Sequence, residues 1–142
     1  MKILVAVDGS KFALHAVKYA ADLVCQLSSG AHNITLLSVH DDLGLRHAKI
    51  FVGSETIADY LREISEKELK PARKILDKAE VKHDMVERTG HVAQEIVEFA
   101  HKGKFDLIVL GSKGRGAIAD LLIGSVAQRV LAAAKQPVVL VK

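Results

Sequence analysis

The chain has little cysteine, few aromatic residues and no long apolar run, and each shortage excludes a class of protein. Its 142 residues contain one cysteine, Cys25, so an internal disulfide cannot form, as is usual in a reducing compartment. Tryptophan is absent and aromatic residues make up 4% of the chain, so the core must be aliphatic. The opening run MKILVAV becomes polar at Asp8, too early for a signal peptide or a membrane span. We therefore expect a cytoplasmic protein with no membrane partner.

Charge of one sign is not concentrated anywhere along the chain. The formal net charge is +3, and basic residues alternate with acidic ones. This pattern favours a mixed, solvated surface over a patch that binds nucleic acid. The length fits one domain, residues 1–142, and no linker, repeat or low-complexity stretch divides it.

Five short runs rich in branched aliphatic residues alternate with helical patterns. Four runs are continuous, as expected for strands buried on both faces of a parallel sheet, and the more polar run 81–87 predicts an edge strand. The runs occupy 2–8, 33–39, 81–87, 106–111 and 136–141. Apolar residues at three- and four-residue steps predict four helices between them. Ser10 is expected to cap the first, Pro71 to kink or interrupt the second (55–79), and Ser125 with Gln128 to form a capping box on the last.

This alternation predicts an α/β fold with an open, parallel, five-stranded sheet and helices on both faces. Ligands of such sheets bind beyond the carboxyl ends of the strands, where the strand order reverses. If the first strand lies beside the fourth, Asp8 and Gly9 meet the loop that begins at Gly111. The long irregular segment 41–54 is expected to be a lid or a contact surface, and disorder is an equal alternative.

The stretch LGSKGRGAIADLLIGSVAQRV, residues 110–130, concentrates glycine after the fourth strand. Its first glycines offer bare backbone, and Ser125 begins a helix whose free N–H groups and partial positive charge suit a phosphate. Lys113 and Arg115 add cations that could reach outer phosphates. The alternative is that the glycines only make a turn. Neither the complete P-loop motif, in which Lys and then Ser or Thr follow the second glycine, nor the dinucleotide fingerprint occurs, which argues against NAD, FAD and P-loop chemistry.

The spacing of Gly111, Gly114, Gly124 and Ser125 resembles the nucleotide signature of the universal stress protein family: Gly, two residues, Gly, nine residues, Gly, then Ser or Thr. The flanking segments ILVAVDGS, DLIVLGSKGRG, LLIGSVAQRVL and QPVVLVK extend the resemblance over the whole chain. It implies a Rossmann-like sheet ordered 3-2-1-4-5, of the adenine nucleotide alpha hydrolase type, a homodimer, and ATP or a related adenine nucleotide as ligand.

The resemblance also implies roles for individual positions. Asp8 would contact the adenosine part, and Val39 would meet adenine through its backbone. The ribose and phosphates would follow Gly111, Gly114, Gly116, Gly124, Ser125 and Val126. Together with the neighbouring residues, the expected nucleotide site comprises Asp8, Gly9, Ser10, Val39, Gly111, Ser112, Lys113, Gly114, Arg115, Gly116, Gly124, Ser125 and Val126.

Catalysis has weaker support than binding. The seven histidines show no metal-ligand spacing, and the segment His40-Asp41-Asp42 is interpreted as the polar start of a loop rather than a catalytic group. Asp8 could help to hold Mg²⁺ against a nucleotide. The leading hypothesis is an ATP-binding protein of stress response or signalling; a slow ATPase or phosphotransferase, and a dimeric interaction module without nucleotide, are the alternatives.

The last apolar run predicts a partner. If residues 136–141 form an edge strand, unpaired backbone groups lie beside aliphatic side chains, an arrangement that proteins normally cover. Pairing with the same strand of a second copy about a two-fold axis would cover it. We therefore expect a homodimer built around residues 136–141.

Overall fold

Strands and helices alternate along the chain. The structure is a computed structural model that describes residues 1–27, 29–41, 53–116 and 120–142. The elements within these residues are β1 (Lys2–Ala6), α1 (Lys11–Gln26), β2 (Asn33–His40), α2 (Ser54–Lys78), β3 (His83–Thr89), α3 (Val92–Lys102), β4 (Leu107–Gly111), α4 (Ser125–Ala133) and β5 (Val138–Val141).

The five strands form one parallel sheet in the order β3-β2-β1-β4-β5. This confirms the predicted fold class and strand order. β1 pairs with both β2 and β4, with Ile3 opposite Ile34 on one side and Leu107 on the other. The strand order therefore reverses at β1, which places the carboxyl ends of β1 and β4 side by side. The polar run predicted as an edge strand is confirmed as β3, and β5 occupies the opposite edge.

The core lies on both faces of the sheet, because alternate residues of each strand point to opposite faces. Ile3 and Val5 of β1 pack with residues of α1 and α2 such as Val17 and Leu76. Leu4 lies between them in sequence and packs on the other face, in the same cluster as Ile96 of α3 and Val130 of α4. Two helices therefore cover each face, and the aliphatic core expected from the composition is present.

Ser10 caps α1 as predicted, because its Oγ accepts a hydrogen bond from the Ala13 N–H at 3.2 Å. A kink or an interruption was expected at Pro71, and the interruption is wrong, since α2 continues through that residue. Pro71 is exposed, so water can satisfy the Lys67 carbonyl that proline leaves without a donor. Leu69 and Ala72, on either side of it, are buried and hold the helix to the core.

The predicted capping box on α4 is also wrong. The N-cap is Gly124 and Ser125 is the first helical residue, with no side-chain cap. The Gln128 side chain instead donates from Nε2 to the Ile123 carbonyl at 2.9 Å. Of the expected lid over 41–54, residues 42–52 lie outside the described residues. Among the helices that the structure describes, none combines the length and apolar character that a membrane crossing requires.

Candidate functional site

A cavity of about 400 Å³ opens at the carboxyl ends of β1, β2 and β4. It lies where the strand order reverses, the position expected for a ligand of this kind of sheet. The predicted site residues that line it are Asp8, Val39, Gly111, Lys113, Gly114, Arg115, Gly116, Gly124, Ser125 and Val126. Gly9, Ser10 and Ser112 do not line it.

One wall of the cavity is apolar and was not predicted. It is formed by side chains from β1, β2, β4 and α3, namely Ala6, Leu37, Val92, Ile96 and Leu110. Leu37 lies two residues before Val39 and therefore points to the same face of the sheet. This two-residue period was available in the sequence, whereas the contribution of α3 depends on how that helix packs on the sheet.

The Asp8 carboxylate connects the turn after β1 to the glycine loop after β4. Its Oδ1 accepts a hydrogen bond from the Ser10 N–H at 2.9 Å. Its Oδ2 accepts one from the Arg115 N–H at 3.1 Å. Both carboxylate oxygens thus bind main-chain donors, and the two loops are held together before any ligand enters.

Close packing explains the absence of a side chain at two of the predicted glycines. A Cβ built on Gly114 would lie 2.6 Å from Asp8 Oδ2, and one on Gly111 would lie 2.8 Å from the main-chain carbon of Phe12 in α1. Such contacts are too short for real carbon atoms. Gly111 faces the main chain of α1 and needs glycine for the structure itself, whereas a side chain at position 114 would force the Asp8 carboxylate to move. The two explanations of the glycine loop, a turn and a ligand surface, are therefore not exclusive.

The start of α4 faces the cavity. Gly124 donates its N–H to the Ser112 carbonyl at 2.7 Å, and Ser112 donates its own N–H to Val141 at 2.7 Å. These bonds explain why Ser112, although buried and in the predicted site, serves to fix the loop rather than to line the cavity. Ser125 is exposed at the first position of the helix. First-turn N–H groups lack helical acceptors and carry a partial positive charge.

Arg115 is not the free cation that the sequence suggested. Its Nη2 lies 2.7 Å from Oε1 of Glu68 in α2, and the Arg115 side chain is 60% exposed whereas that of Glu68 is 3% exposed. The guanidinium crosses over Gly9, where a Cβ would lie 2.8 Å from Nη2 and where φ is +81°. Gly9 is thus required by a left-handed backbone and by this close approach.

Glu68 is the centre of a buried polar cluster that sequence reasoning missed. Its Oε2 lies 3.1 Å from the Ser38 Oγ and 3.1 Å from the His40 Nε2. The Ser38 hydroxyl also contacts Ser65 Oγ at 3.2 Å. His40 is therefore the last residue of β2, paired with a carboxylate, and not the start of a loop as interpreted from the sequence. Ser38 and Glu68 meet the same nitrogen of His40, so this is not the arrangement in which serine and acid bind opposite ring nitrogens.

Lys113 is the other cation at the cavity, and no ion pair or hydrogen bond involves its side chain within the described part of the chain. No group of three or more histidine, cysteine, aspartate or glutamate side chains is placed to hold a metal ion, within residues 1–27, 29–41, 53–116 and 120–142. Among the described residues that line the cavity, Asp8 supplies the one carboxylate, Arg115 is paired with Glu68, and Lys113 has no ion pair. Main-chain donors and an apolar wall complete the site.

Comparison with known proteins agrees with this geometry. A model of the Universal stress protein family matches residues 1–142. Universal stress protein MJ0531 of Methanocaldococcus jannaschii is 36% identical over 141 residues, which are 99% of this chain and 81% of that protein. The solved structure of protein MJ0577 of the same organism has a TM-score of 0.84 at 28% identity, covering 99% of this chain and 94% of that one. A universal stress protein of Archaeoglobus fulgidus in complex with dAMP has a TM-score of 0.69 at 25% identity, covering 100% and 98%. The chain belongs to the universal stress protein family.

Proposed function

We propose that the chain binds an adenine nucleotide in the cavity at the ends of β1, β2 and β4. The observation that carries the proposal is that one cavity joins an apolar wall, suited to a base, to a helix N-terminus and a lysine, suited to phosphate. The dAMP complex of the Archaeoglobus fulgidus relative supports the choice of adenine. Binding would serve a stress or signalling role through a change of conformation or partners.

Within this proposal, each part of the nucleotide has an assigned place. Adenine lies against the apolar wall and meets the backbone of Val39, and Asp8 is next to the adenosine part. The ribose and phosphates follow the glycine loop to the start of α4. The residues assigned to that path are Gly111, Gly114, Gly116, Gly124, Ser125 and Val126, with Lys113 at the phosphate end. Gly9, Ser10 and Ser112 support the site from behind.

Mg²⁺ would enter this site with the nucleotide. In nucleotide sites it is usually held by one or two carboxylates together with the phosphates, and it keeps several waters. Asp8 supplies one carboxylate, and each of its oxygens already accepts one main-chain hydrogen bond, so a lone pair on each remains. Titration of ATP with and without EDTA measures how much of the affinity depends on the metal.

A negative charge at the start of α4 tests the phosphate position. Ser125→Glu places a carboxylate where the phosphate would bind, and we expect AMP and ATP to bind about tenfold more weakly or worse through like-charge repulsion. The fold should survive, because an acidic residue in the first turn stabilises a helix by about 0.3–1 kcal/mol. Isothermal titration calorimetry with AMP, ATP and adenosine measures the change.

The matched control is Ser54→Glu. Ser54 is also the first residue of a helix and is exposed, but it does not line the cavity. It should leave nucleotide affinity unchanged. If Ser125→Glu bound AMP as tightly as the parent protein, or if the parent bound no adenine nucleotide at millimolar concentration, the proposed function would be wrong.

We also propose a homodimer through the C-terminal strand, residues 136–141. Among the described residues β5 pairs only with β4, so one of its edges has no strand beside it, and its side chains are half-buried. A second copy would cover both the edge and the aliphatic side chains. Multi-angle light scattering should give twice the chain mass at micromolar concentration, and a clean monomer would contradict the proposal.

A further inference from the structure

The ion pair between Arg115 and Glu68 is asymmetric. The Glu68 carboxylate is buried among its protein partners, whereas most of the Arg115 side chain is in solvent and at the rim of the cavity. A buried carboxylate that loses its cation is costly, because water cannot replace the lost partner. Arg115 can therefore leave the pair only if the free energy of its new contact offsets the cost of leaving Glu68 unpaired.

A nucleotide phosphate that binds Arg115 must compete with the Glu68 carboxylate. A phosphate at the start of α4 has main-chain N–H groups and Lys113 within the same cavity wall, and it does not require Arg115. The second and third phosphates of a nucleotide would extend toward the rim of the cavity, where the Arg115 guanidinium lies over Gly9. Glu68 would then oppose the outer phosphates and leave the first one unaffected.

We propose that Glu68 is a specificity-determining residue, which holds Arg115 and so lowers the affinity for nucleotides with long phosphate chains relative to monophosphates. This inference rests on the proposed function, because it concerns the same site. Glu68 acts through Arg115 and does not itself line the cavity, so its effect must vanish when Arg115 is removed. That dependence separates a specific effect from a general change of charge or fold.

The test compares dissociation constants for AMP and ATP, at one salt concentration and without metal, in four proteins: the parent, Glu68→Gln, Arg115→Gln and the double variant. Glu68→Gln keeps the size of the side chain and removes the charge that competes for Arg115. We expect it to lower the dissociation constant of ATP by about fivefold or more, within the usual range of coupling between sites, and to leave that of AMP unchanged. In the Arg115→Gln background, Glu68→Gln should change the ratio of the ATP to the AMP dissociation constant by less than about twofold.

Glu66→Gln is the matched control. Glu66 lies on the same helix and is exposed, and Glu66→Gln changes the net charge by the same amount as Glu68→Gln. It should leave the ratio of ATP to AMP affinity unchanged. An equal shift from Glu66→Gln, or an equal shift with and without Arg115, would overturn the inference, as would an unchanged ratio in folded Glu68→Gln.

Two further measurements keep the result interpretable. If Glu68→Gln does not fold, Glu68→Asp keeps the charge but withdraws the carboxylate by one methylene, and it should shift the ratio in the same direction. Thermal unfolding without nucleotide should show that Arg115→Gln lowers the melting temperature and that Glu68→Gln in the same chain restores part of it. A parent protein that binds neither AMP nor ATP refutes the proposed function itself, whereas intact binding with an unchanged ratio refutes only the role of Glu68.

Discussion

The contact between Gly114 and Asp8 gives a sharp test of how the glycine loop is built. In Gly114→Ala the new Cβ would lie 2.6 Å from Asp8 Oδ2, a distance that the structure cannot keep. The carboxylate would have to turn away, and it would lose the hydrogen bond from the Arg115 N–H at 3.1 Å. Its other bond, to the Ser10 N–H, restricts how far it can turn without further loss.

The size of the effect follows from that one bond. A hydrogen bond to a charged group contributes about 1.5–3 kcal/mol, so we expect Gly114→Ala to lower the free energy of unfolding by about 2 kcal/mol. For a chain of this length that corresponds to a decrease in melting temperature of about 4–10 °C. The loss should depend on Asp8, because the clash is with its carboxylate.

A double-mutant cycle measured by thermal and urea unfolding checks the reasoning. In an Asp8→Ala background, Gly114→Ala should cost well under about 1 kcal/mol, because the clashing atom is gone. Gly116→Ala is the matched control: Gly116 has φ +66°, and apart from its chain neighbours no described residue has an atom within 4 Å of its would-be Cβ, so its cost of about 1–2 kcal/mol should not depend on Asp8. An equal cost of Gly114→Ala in both backgrounds would refute the proposed contact.

Substitutions at three other positions test the cap, the core and a surface pair. Ser10→Ala should cost about 1 kcal/mol in urea unfolding through loss of the N-cap bond to the Ala13 N–H, whereas Ser10→Thr should cost less. Leu76→Ala empties a fully buried site and should cost about 2–5 kcal/mol by the same measurement. The hydrogen bond and the charge of Lys102 lower the pKa of Glu98, so this pair stabilises the fold above the unfolded pKa and loses its contribution as the pH falls through the folded pKa. Lys102→Met should raise the Glu98 pKa in an NMR titration, and an unchanged pKa would contradict that cause.

Much of the fold could be predicted because its signals are local. Continuous aliphatic runs separated by helical spacing are sufficient to indicate a parallel sheet, and the polar run now identified as β3 indicated its own place at an edge. Errors arose where a single residue decides. Pro71 was expected to kink or interrupt α2, but an exposed proline on a helix held by Leu69 and Ala72 does not interrupt it. The cap of α4 was misplaced by one residue, from Gly124 to Ser125.

The loops that form the site could be predicted from the sequence, whereas the ion pairing of its charged side chains could not. The glycine spacing and the neighbouring strands β1 and β4 placed Asp8 beside the loop. Glu68 lies four residues after Ile64 and four before Ala72, so its position on the apolar side of α2 could have marked it as buried. Its pairing with Arg115 depends on the packing of α2 against the sheet and could not be predicted. Gly114 was assigned to a phosphate path, whereas in the described structure a side chain there would also displace the Asp8 carboxylate.

The ion pair between Arg115 and Glu68 changes which anions the cavity would favour. Counted from the sequence, Lys113 and Arg115 make the glycine loop a basic cradle, but Asp8 and Glu68 supply two carboxylates at the same place. The formal charges of these four side chains sum to zero, so a bound anion would rely on main-chain donors, and on Lys113, which has no ion-pair partner among the described residues, rather than on excess positive charge. In the proposed nucleotide site, specificity would come from the base and the first phosphate, and each added phosphate would contribute less affinity than it would beside free cations. The salt dependence of nucleotide affinity should therefore be shallow in the parent protein and steeper in Glu68→Gln, where Arg115 is released.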